Sequence, residues 1–202
     1  KDPQEVARMT RRVQIFALLA LTSVAAVWGA SFVLMKDALE GQSVDDFLAT
    51  RFIIATFALI LFRPKALSEI NSEMLVKGSL LGIFLGSGYL FQTIGLHLTT
   101  AATTGFITGL YVVFTPILGA LFLKSTVTRN EWIGVIMATI GLALLSFKGF
   151  TIGLGELSVL LSALFFALHI LGLGRWSGKF ATYPLTIVQL RTIAILTTIL
   201  AI

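Results

Sequence analysis

The sequence contains no cysteine, so neither a disulfide framework nor a thiolate metal centre can form. Charged residues are also scarce, because they make up 12% of the 202 residues, roughly half of the usual share of a soluble domain. With 56% hydrophobic residues and a mean hydropathy of +0.94, both a water-soluble fold and a disordered chain are excluded. The long continuous apolar runs also lack the alternation of a transmembrane β-barrel. The composition therefore predicts a polytopic helical membrane protein.

Carboxylates are missing from the apolar runs. Asp and Glu are absent from four long stretches, which are residues 47–67, 74–130, 132–155 and 157–202. This absence argues against an intramembrane aspartyl protease and against a Glu/Asp proton relay. The two histidines have no partners at metal-ligand spacing, so we expect no metal, cofactor or catalytic residue. A serine protease built on Gly86-Ser87-Gly88 and His97 is a weak alternative, since such segments commonly pack membrane helices.

Seven apolar runs approach the length of about 20 residues that a membrane-spanning helix requires. They are residues 13–35, 44–62, 74–96, 101–123, 132–147, 154–173 and 183–202. The connections are short, so consecutive helices must run antiparallel in one all-α transmembrane bundle. In the fourth run, Pro116 removes a backbone donor and is expected to kink the helix.

Basic residues are distributed unevenly between the two sets of loops. If the N-terminus is cytoplasmic, only Lys36 and Lys148 lie outside. The inside segments hold Lys1, Arg8, Arg11, Arg12, Arg63, Lys65, Lys77, Lys124, Arg129, Arg175 and Lys179. This bias predicts a cytoplasmic N-terminus in a plasma (inner) membrane. It also accounts for the net charge of +5 without a nucleic-acid partner, because these residues face anionic headgroups.

Two parts of the chain repeat one pattern at an offset of about 140 residues. Residues 26–32 and 164–170 are apolar segments with aromatic clusters, and the helices that follow carry Arg51 and Arg191. A repeat of five helices is odd in number, so its second copy must be inverted in the membrane. Inverted repeats are typical of secondary transporters. The second copy would hold only two helices, which predicts a chain cut from a longer protein.

Several motifs occur in the order and spacing of a known family. They are VWGASF at 27–32, Lys36, Arg-Phe at 51–52, QTIGL at 92–96, the segment 99–123 with its GLYVVFTP core, and WIGV at 132–135. Over residues 14–202 the chain resembles the EamA-type transporters of the drug/metabolite transporter superfamily. The resemblance implies ten helices in two inverted five-helix repeats. It divides this chain into a cytoplasmic segment (1–12), a first repeat (13–148) and the start of a second (153–202). Ser125 follows Lys124 where the family often has Glu.

Polar residues inside the spans are the candidates for substrate contact. An Arg deep in a span costs roughly 2.5–3.5 kcal/mol and usually faces a cavity or a partner, although snorkelling to the interface is the alternative. Rows of Thr, Ser, Gly and Tyr at helical spacing in the third, fourth and sixth spans indicate either a shared cavity or helix packing. His169 is the candidate for proton coupling, and Trp28 belongs either to the aromatic belt or to a cavity wall. The predicted substrate-binding residues are Trp28, Ser31, Arg51, Tyr89, Gln92, Thr108, Tyr111, His169, Gln189 and Arg191.

These features favour an integral membrane secondary transporter that works by alternating access. Its partners would be the lipid bilayer and a small polar or amphipathic metabolite, such as an amino acid. The alternative is a membrane scaffold or assembly partner that transports nothing. The small residues Gly134, Ala138 and Gly141 of the fifth span indicate either packing within the bundle or a homo-oligomer contact.

Overall fold

The computed structural model describes residues 3–123, 128–146 and 153–202, and within these ranges it holds helices and no strand. The fold is an all-α polytopic helical bundle, as the composition predicts. The helices are α1 (Pro3–Ala38), α2 (Val44–Phe62), α3 (Ser72–Leu98), α4 (Ala101–Thr108), α5 (Tyr111–Leu123), α6 (Arg129–Ser146), α7 (Leu154–Trp176) and α8 (Thr182–Leu200). Two short 3₁₀ segments, Pro64–Glu69 and Ser177–Lys179, lead towards α3 and α8.

Side-chain caps fix the beginnings of three helices. The Ser43 hydroxyl accepts a hydrogen bond from the Asp46 amide at α2, and the Asn71 side chain accepts one from the Met74 amide at α3. Thr100 does the same at α4. Each cap satisfies a backbone donor that has no partner within the helix. The caps explain why these three helices begin at these positions.

Five stretches among the described residues are long and apolar enough to cross a membrane. They are Val13–Ala38, Ser72–Leu98, Ala101–Leu123, Leu154–Lys179 and Thr182–Leu200. The remaining two predicted runs are also helical. Helix α2 carries Asp45, Asp46 and Arg51 within its 19 residues, and α6 holds the shorter apolar stretch Trp132–Gly141. The chain is therefore a multi-pass membrane protein.

Helix α3 lies at the centre of the bundle and packs most extensively against α7 and α8, while α2 also packs against α8. Glycines allow these close approaches. A Cβ atom at Gly82 would lie 2.8 Å from the Gln189 carbonyl oxygen of α8, and one at Gly95 would lie 2.7 Å from the Gly155 carbonyl oxygen of α7. Because the obstacles are backbone atoms, they cannot move aside, so glycine is required at both crossings.

The fourth predicted span is interrupted at Gly109 and Leu110, which separate α4 from α5. The Leu110 amide donates to the Ile107 carbonyl instead of continuing the α-helical pattern. The interruption therefore precedes the position that the sequence indicated, since Pro116 lies inside α5.

Helix α1 lies at the edge of the bundle. Its residues 13–27 are all exposed, and its contacts are mainly with α3 and α4. Phe32, Met35 and Leu39, near its C-terminal end, form a buried cluster with Leu96 of α3. Helix α1 is thus held at one end, and its free part forms the wall of a cavity.

Candidate functional site

An open cavity of about 600 Å³ lies between α1, α2 and α3. Arg51 comes from α2 and Tyr89 from α3, and α1 supplies the rest of the wall, which is Ser23, Val24, Val27, Trp28 and Ser31. Four predicted site residues, Trp28, Ser31, Arg51 and Tyr89, therefore line the same cavity. Its surface is mostly apolar with a few polar groups, as is typical of small-molecule sites.

The Arg51 guanidinium is the charged group of this cavity. Its Cζ atom lies 5.2 Å from the centre of the Tyr89 ring and 5.5 Å from that of Phe52, which are cation–π distances. Its Nη1 donates to the Met35 sulfur at 3.2 Å, a weak acceptor. Among the described residues, no carboxylate lies within 4.0 Å of the guanidinium. The positive charge is held in place by aromatic rings and a thioether while it keeps donors for a ligand.

A chain of aromatic rings connects the cavity to the second predicted repeat. Tyr89 lies between Phe52 of α2, at 5.1 Å, and Phe166 of α7, at 5.3 Å and nearly perpendicular. Gly88 makes this contact close, because a Cβ there would lie 2.6 Å from the Phe166 ring. Tyr89 therefore contacts both the Arg51 guanidinium and α7.

Trp28 separates this cavity from a second, apolar one of about 570 Å³ between α1 and α4. Its ring lies 5.8 Å from Phe32 and 6.4 Å from Tyr111 of α5. Tyr111 also lines a third cavity between α5, α6 and α7. Trp28 thus forms a wall that the two cavities share.

Gln92 and Thr108 lie outside the Arg51 cavity, in the core of the bundle. The Gln92 amide donates from Nε2 to the Thr108 hydroxyl at 3.1 Å, and both side chains are buried. Thr108 ends α4 at the interruption of the fourth span. The bond therefore connects α3 to the point where that span breaks, and a buried polar pair of this kind is satisfied without a ligand.

His169 and Gln189 form a second internal pair, which joins α7 to α8. The two side chains meet at 2.7 Å between Nε2 and Oε1, so the imidazole nitrogen is the donor. Gln189 is buried and His169 is partly buried. Neither residue lines the Arg51 cavity.

Arg191 is exposed on α8 and does not line the cavity that holds Arg51. The glycine row of the third span also lies elsewhere, because Gly82 and Gly86 pack against Thr192 and Ile193 of α8. Helix α7 supplies no residue to the Arg51 cavity. The structure thus brings together Trp28, Ser31, Arg51 and Tyr89, and it leaves the other predicted residues outside this cavity, namely Gln92, Thr108, Tyr111, His169, Gln189 and Arg191.

Sequence reasoning missed Met35 and Phe52, which contact Arg51, and Phe166, which contacts Tyr89. It also missed a polar network at one end of the bundle. The Lys36 ammonium donates to the carbonyls of Leu96 at 2.8 Å and Thr99 at 2.6 Å, where α3 ends. The spacing of Lys36 and Thr99 carries no signal for this network, because the contact joins residues 63 positions apart.

In the described ranges, no three His, Cys, Asp or Glu side chains gather as metal ligands.

Comparison with known proteins decides the family. The model of the EamA-like transporter family matches residues 15–147. The chain belongs to this family. The EamA-like match lies within the predicted first repeat, and it confirms the resemblance seen in the sequence motifs. The family is described as one of transporters, which agrees with the expectation that the chain is not an enzyme.

Three relatives of this EamA-like protein carry similar names. Two uncharacterized transporters of Archaeoglobus fulgidus are 36% and 31% identical, over 81% and 64% of this chain and 51% and 46% of their own lengths. The uncharacterized transporter YdfC of Bacillus subtilis is 22% identical over 86% of this chain and 58% of its own length. The chain therefore spans about half the length of these relatives. No solved structure matches.

Proposed function

We propose that this EamA-like protein is a secondary transporter that moves a small amphipathic metabolite across the membrane by alternating access. The cavity between α1, α2 and α3 is the substrate site in this proposal. The observation that carries it is the Arg51 guanidinium, which lies in a mostly apolar cavity without a carboxylate partner among the described residues.

The depth of Arg51 supports a functional role. It lies two turns inside α2, about 10 Å from the first residue of the helix at 1.5 Å per residue. A cation at such a depth costs roughly 2.5–3.5 kcal/mol on insertion scales, and residues of this kind commonly mark a substrate pathway. The guanidinium is also half-buried beneath aromatic rings, which opposes simple snorkelling to the membrane surface.

The alternating-access part of the proposal rests on the inverted repeat. In this interpretation residues 13–148 form the first repeat, residues 153–202 begin the second, and α2 and α8 are equivalent helices. These two helices pack against each other, as the equivalent helices of two halves do around a shared axis. Movement of one half against the other would then change the side from which the Arg51 cavity is open.

The orientation of the protein is part of the same proposal. The connections α2–α3 and α7–α8 lie at one end of the bundle, where Lys77 contacts the Trp176 ring and Arg63 contacts the Tyr183 ring. This end carries Arg63, Lys65, Lys77, Arg175 and Lys179. We place it on the cytoplasmic side of the plasma membrane, because basic residues are enriched there.

The test is counterflow in vesicles that contain the reconstituted protein. Vesicles preloaded with one metabolite should accumulate its radiolabelled form, and Arg51→Gln should abolish the accumulation. Arg175→Gln removes the same charge from an exposed position outside the cavity and should leave the accumulation unchanged. Equal accumulation by the Arg51 variant and the wild type would remove the cavity from the transport pathway. No accumulation of any metabolite in a broad panel would favour the scaffold alternative.

A further inference from the structure

We infer that the Arg51 cavity selects an organic monoanion with a flat apolar body, such as an arylalkanoate, and rejects the corresponding amine. The inference rests on the proposed function, because it names the substrate class of the same site. It concerns the charge of the substrate, which the proposed transport mechanism does not specify.

Arg51 contributes the largest share of the hydrogen-bond donors among the residues that line the cavity, which also include the Trp28 indole N–H and the Tyr89 hydroxyl. The hydroxyl groups of Ser23 and Ser31 donate to carbonyls of their own helix, at 2.8 Å to Leu19 and 2.6 Å to Trp28. Arg51 has five N–H donors, and the only acceptor that they contact in the described residues is the Met35 sulfur. A planar fork of free N–H groups matches the two oxygens of a carboxylate.

The cavity offers an ammonium group little compensation. Among the residues that the structure describes, its walls contain no Asp or Glu. An aromatic face can bind an ammonium by a cation–π interaction, but the Tyr89 ring already faces the Arg51 guanidinium at 5.2 Å, which leaves the Trp28 ring as the aromatic face for such a contact. An amine that enters the cavity must therefore approach the fixed positive charge of the partly buried Arg51, and repulsion from a partly buried charge is screened less than repulsion between exposed charges.

The wall of the cavity on α1 indicates the apolar part of the ligand. Val24, Val27 and Trp28 of α1 form a surface with one large flat ring. A planar aromatic body that lies against Trp28 buries apolar area and orients its acidic end towards Arg51 across the cavity. The arrangement thus separates an apolar wall on α1 from an anion-binding point on α2.

A matched series of ligands tests this selectivity. The purified full chain in detergent is equilibrated with radiolabelled 3-phenylpropionate, and 3-phenylpropan-1-ol, 3-phenylpropylamine and phenylalanine are added as competitors. We expect the carboxylate to bind most tightly and the amine to bind at least about tenfold more weakly than the carboxylate, since like-charge contact is costly. The zwitterion should lie between them.

Substitution of the guanidinium gives the second arm of the test. Arg51→Gln should make the carboxylate and the alcohol equal competitors, whereas Arg51→Lys keeps the charge and should retain part of the preference. Arg175→Gln is the matched control and should bind like the wild type. If Arg51→Gln does not fold, which size-exclusion chromatography would show, the wild-type ligand series and Arg51→Lys still decide the question.

Two results would overturn the inference. One is an amine that competes as well as the carboxylate, and the other is the absence of binding by every member of the series. The failure of the transport proposal gives a different pattern. Arg51-dependent counterflow of a neutral or cationic solute would support the transport proposal and refute selection of an anion. Selective binding of the anion without any counterflow would support anion selection and refute the transport proposal.

Discussion

The Arg51 guanidinium on α2 lies over the ring of Tyr89 on α3, with 5.2 Å between Cζ and the ring centre. This contact holds a positive charge inside the span of a helix without any carboxylate partner in the described part of the chain. Cation–π contacts of this kind contribute roughly 0.5–2 kcal/mol. The pair is therefore the feature on which both the transport site and its charge selectivity depend.

The ring of Tyr89 should matter more than its hydroxyl group. We expect Tyr89→Leu to weaken 3-phenylpropionate binding about fivefold to thirtyfold, because the guanidinium loses a contact of roughly 1–2 kcal/mol at this partly buried site. Tyr89→Phe keeps the ring and should change the dissociation constant by no more than about twofold. Equilibrium dialysis of the three proteins measures the difference. Equal losses in the Phe and Leu variants would assign the role to the hydroxyl instead.

The buried pair of Gln92 and Thr108 should behave as a coupled unit. Thr108→Val leaves the Gln92 amide without its partner and should lower the free energy of unfolding by about 1–3 kcal/mol. Gln92→Leu combined with Thr108→Val removes both polar groups and should cost less than the sum of the single variants. Unfolding in detergent, followed by circular dichroism, measures all three. Strict additivity would show that the hydrogen bond contributes nothing.

The crossing of α3 and α7 should tolerate no side chain at Gly95. In Gly95→Ala the new methyl group would lie 2.7 Å from the Gly155 carbonyl oxygen, and we expect a loss of roughly 1–3 kcal/mol of stability from overpacking. Gly134→Ala is the matched control, because a Cβ there meets nothing within 4 Å. It should be neutral or slightly stabilising. If both variants unfold at the same temperature, the helices are less closely packed than the structure shows.

Lys36 should anchor α1 to the rest of the bundle. Its ammonium donates to the Leu96, His97 and Thr99 carbonyls, which would otherwise lack partners at the end of α3. Lys36→Met keeps the length of the side chain and removes these bonds, so we expect a loss of about 1.5–3 kcal/mol of stability. Lys65→Met, at an exposed position in the 3₁₀ segment, should have no effect. Thermal unfolding of both variants distinguishes anchoring from a general effect of charge.

The side chain of Thr99, whose backbone carbonyl binds Lys36, gives a related expectation. The Thr99 hydroxyl donates to the Glu156 carboxylate of α7, and Glu156 also accepts from the Gly153 amide. Thr99→Val should therefore loosen the contact between α3 and α7, while Thr103→Val, at the beginning of α4, should do so less. Proteolysis of the solubilised protein near residue 153 should accelerate in the Thr99 variant. An unchanged cleavage rate would show that the Thr99 hydroxyl does not hold α3 and α7 together, and that Thr99 contributes only through its backbone carbonyl.

Length and hydropathy predict the helices well, because a span of the bilayer leaves no other option for an apolar backbone. The bounds of α2, Val44–Phe62, agree with the predicted run for this reason. The interruption at Gly109 was not predictable in the same way. Proline removes a backbone donor and so gives a local signal for a kink, whereas Gly109 lies in a continuous apolar run, and the contact of Gln92 with the last residue of α4 is seen only in the structure.

The site was predicted in part. The residue types of Arg51 and Trp28 indicated a site, since a cation or a large aromatic residue inside a membrane span suggests a functional position. Met35 and Phe166 were not, because they are apolar residues among many and acquire a role only through contact with Arg51 or Tyr89. The rows of glycine failed as a signal for a cavity, because the same spacing serves helix packing.

The most direct test of the Arg51 cavity uses the absence of native cysteine, since a single introduced thiol then has no background. The rate at which a water-soluble maleimide labels Ser31→Cys is measured with and without saturating 3-phenylpropionate. Ser68→Cys, on the exposed 3₁₀ segment, is the control. We predict that the ligand slows labelling at residue 31 about tenfold or more and leaves residue 68 unchanged, as expected when a bound ligand occupies the cavity. An unchanged rate at residue 31 would contradict the assignment of this cavity as the substrate site.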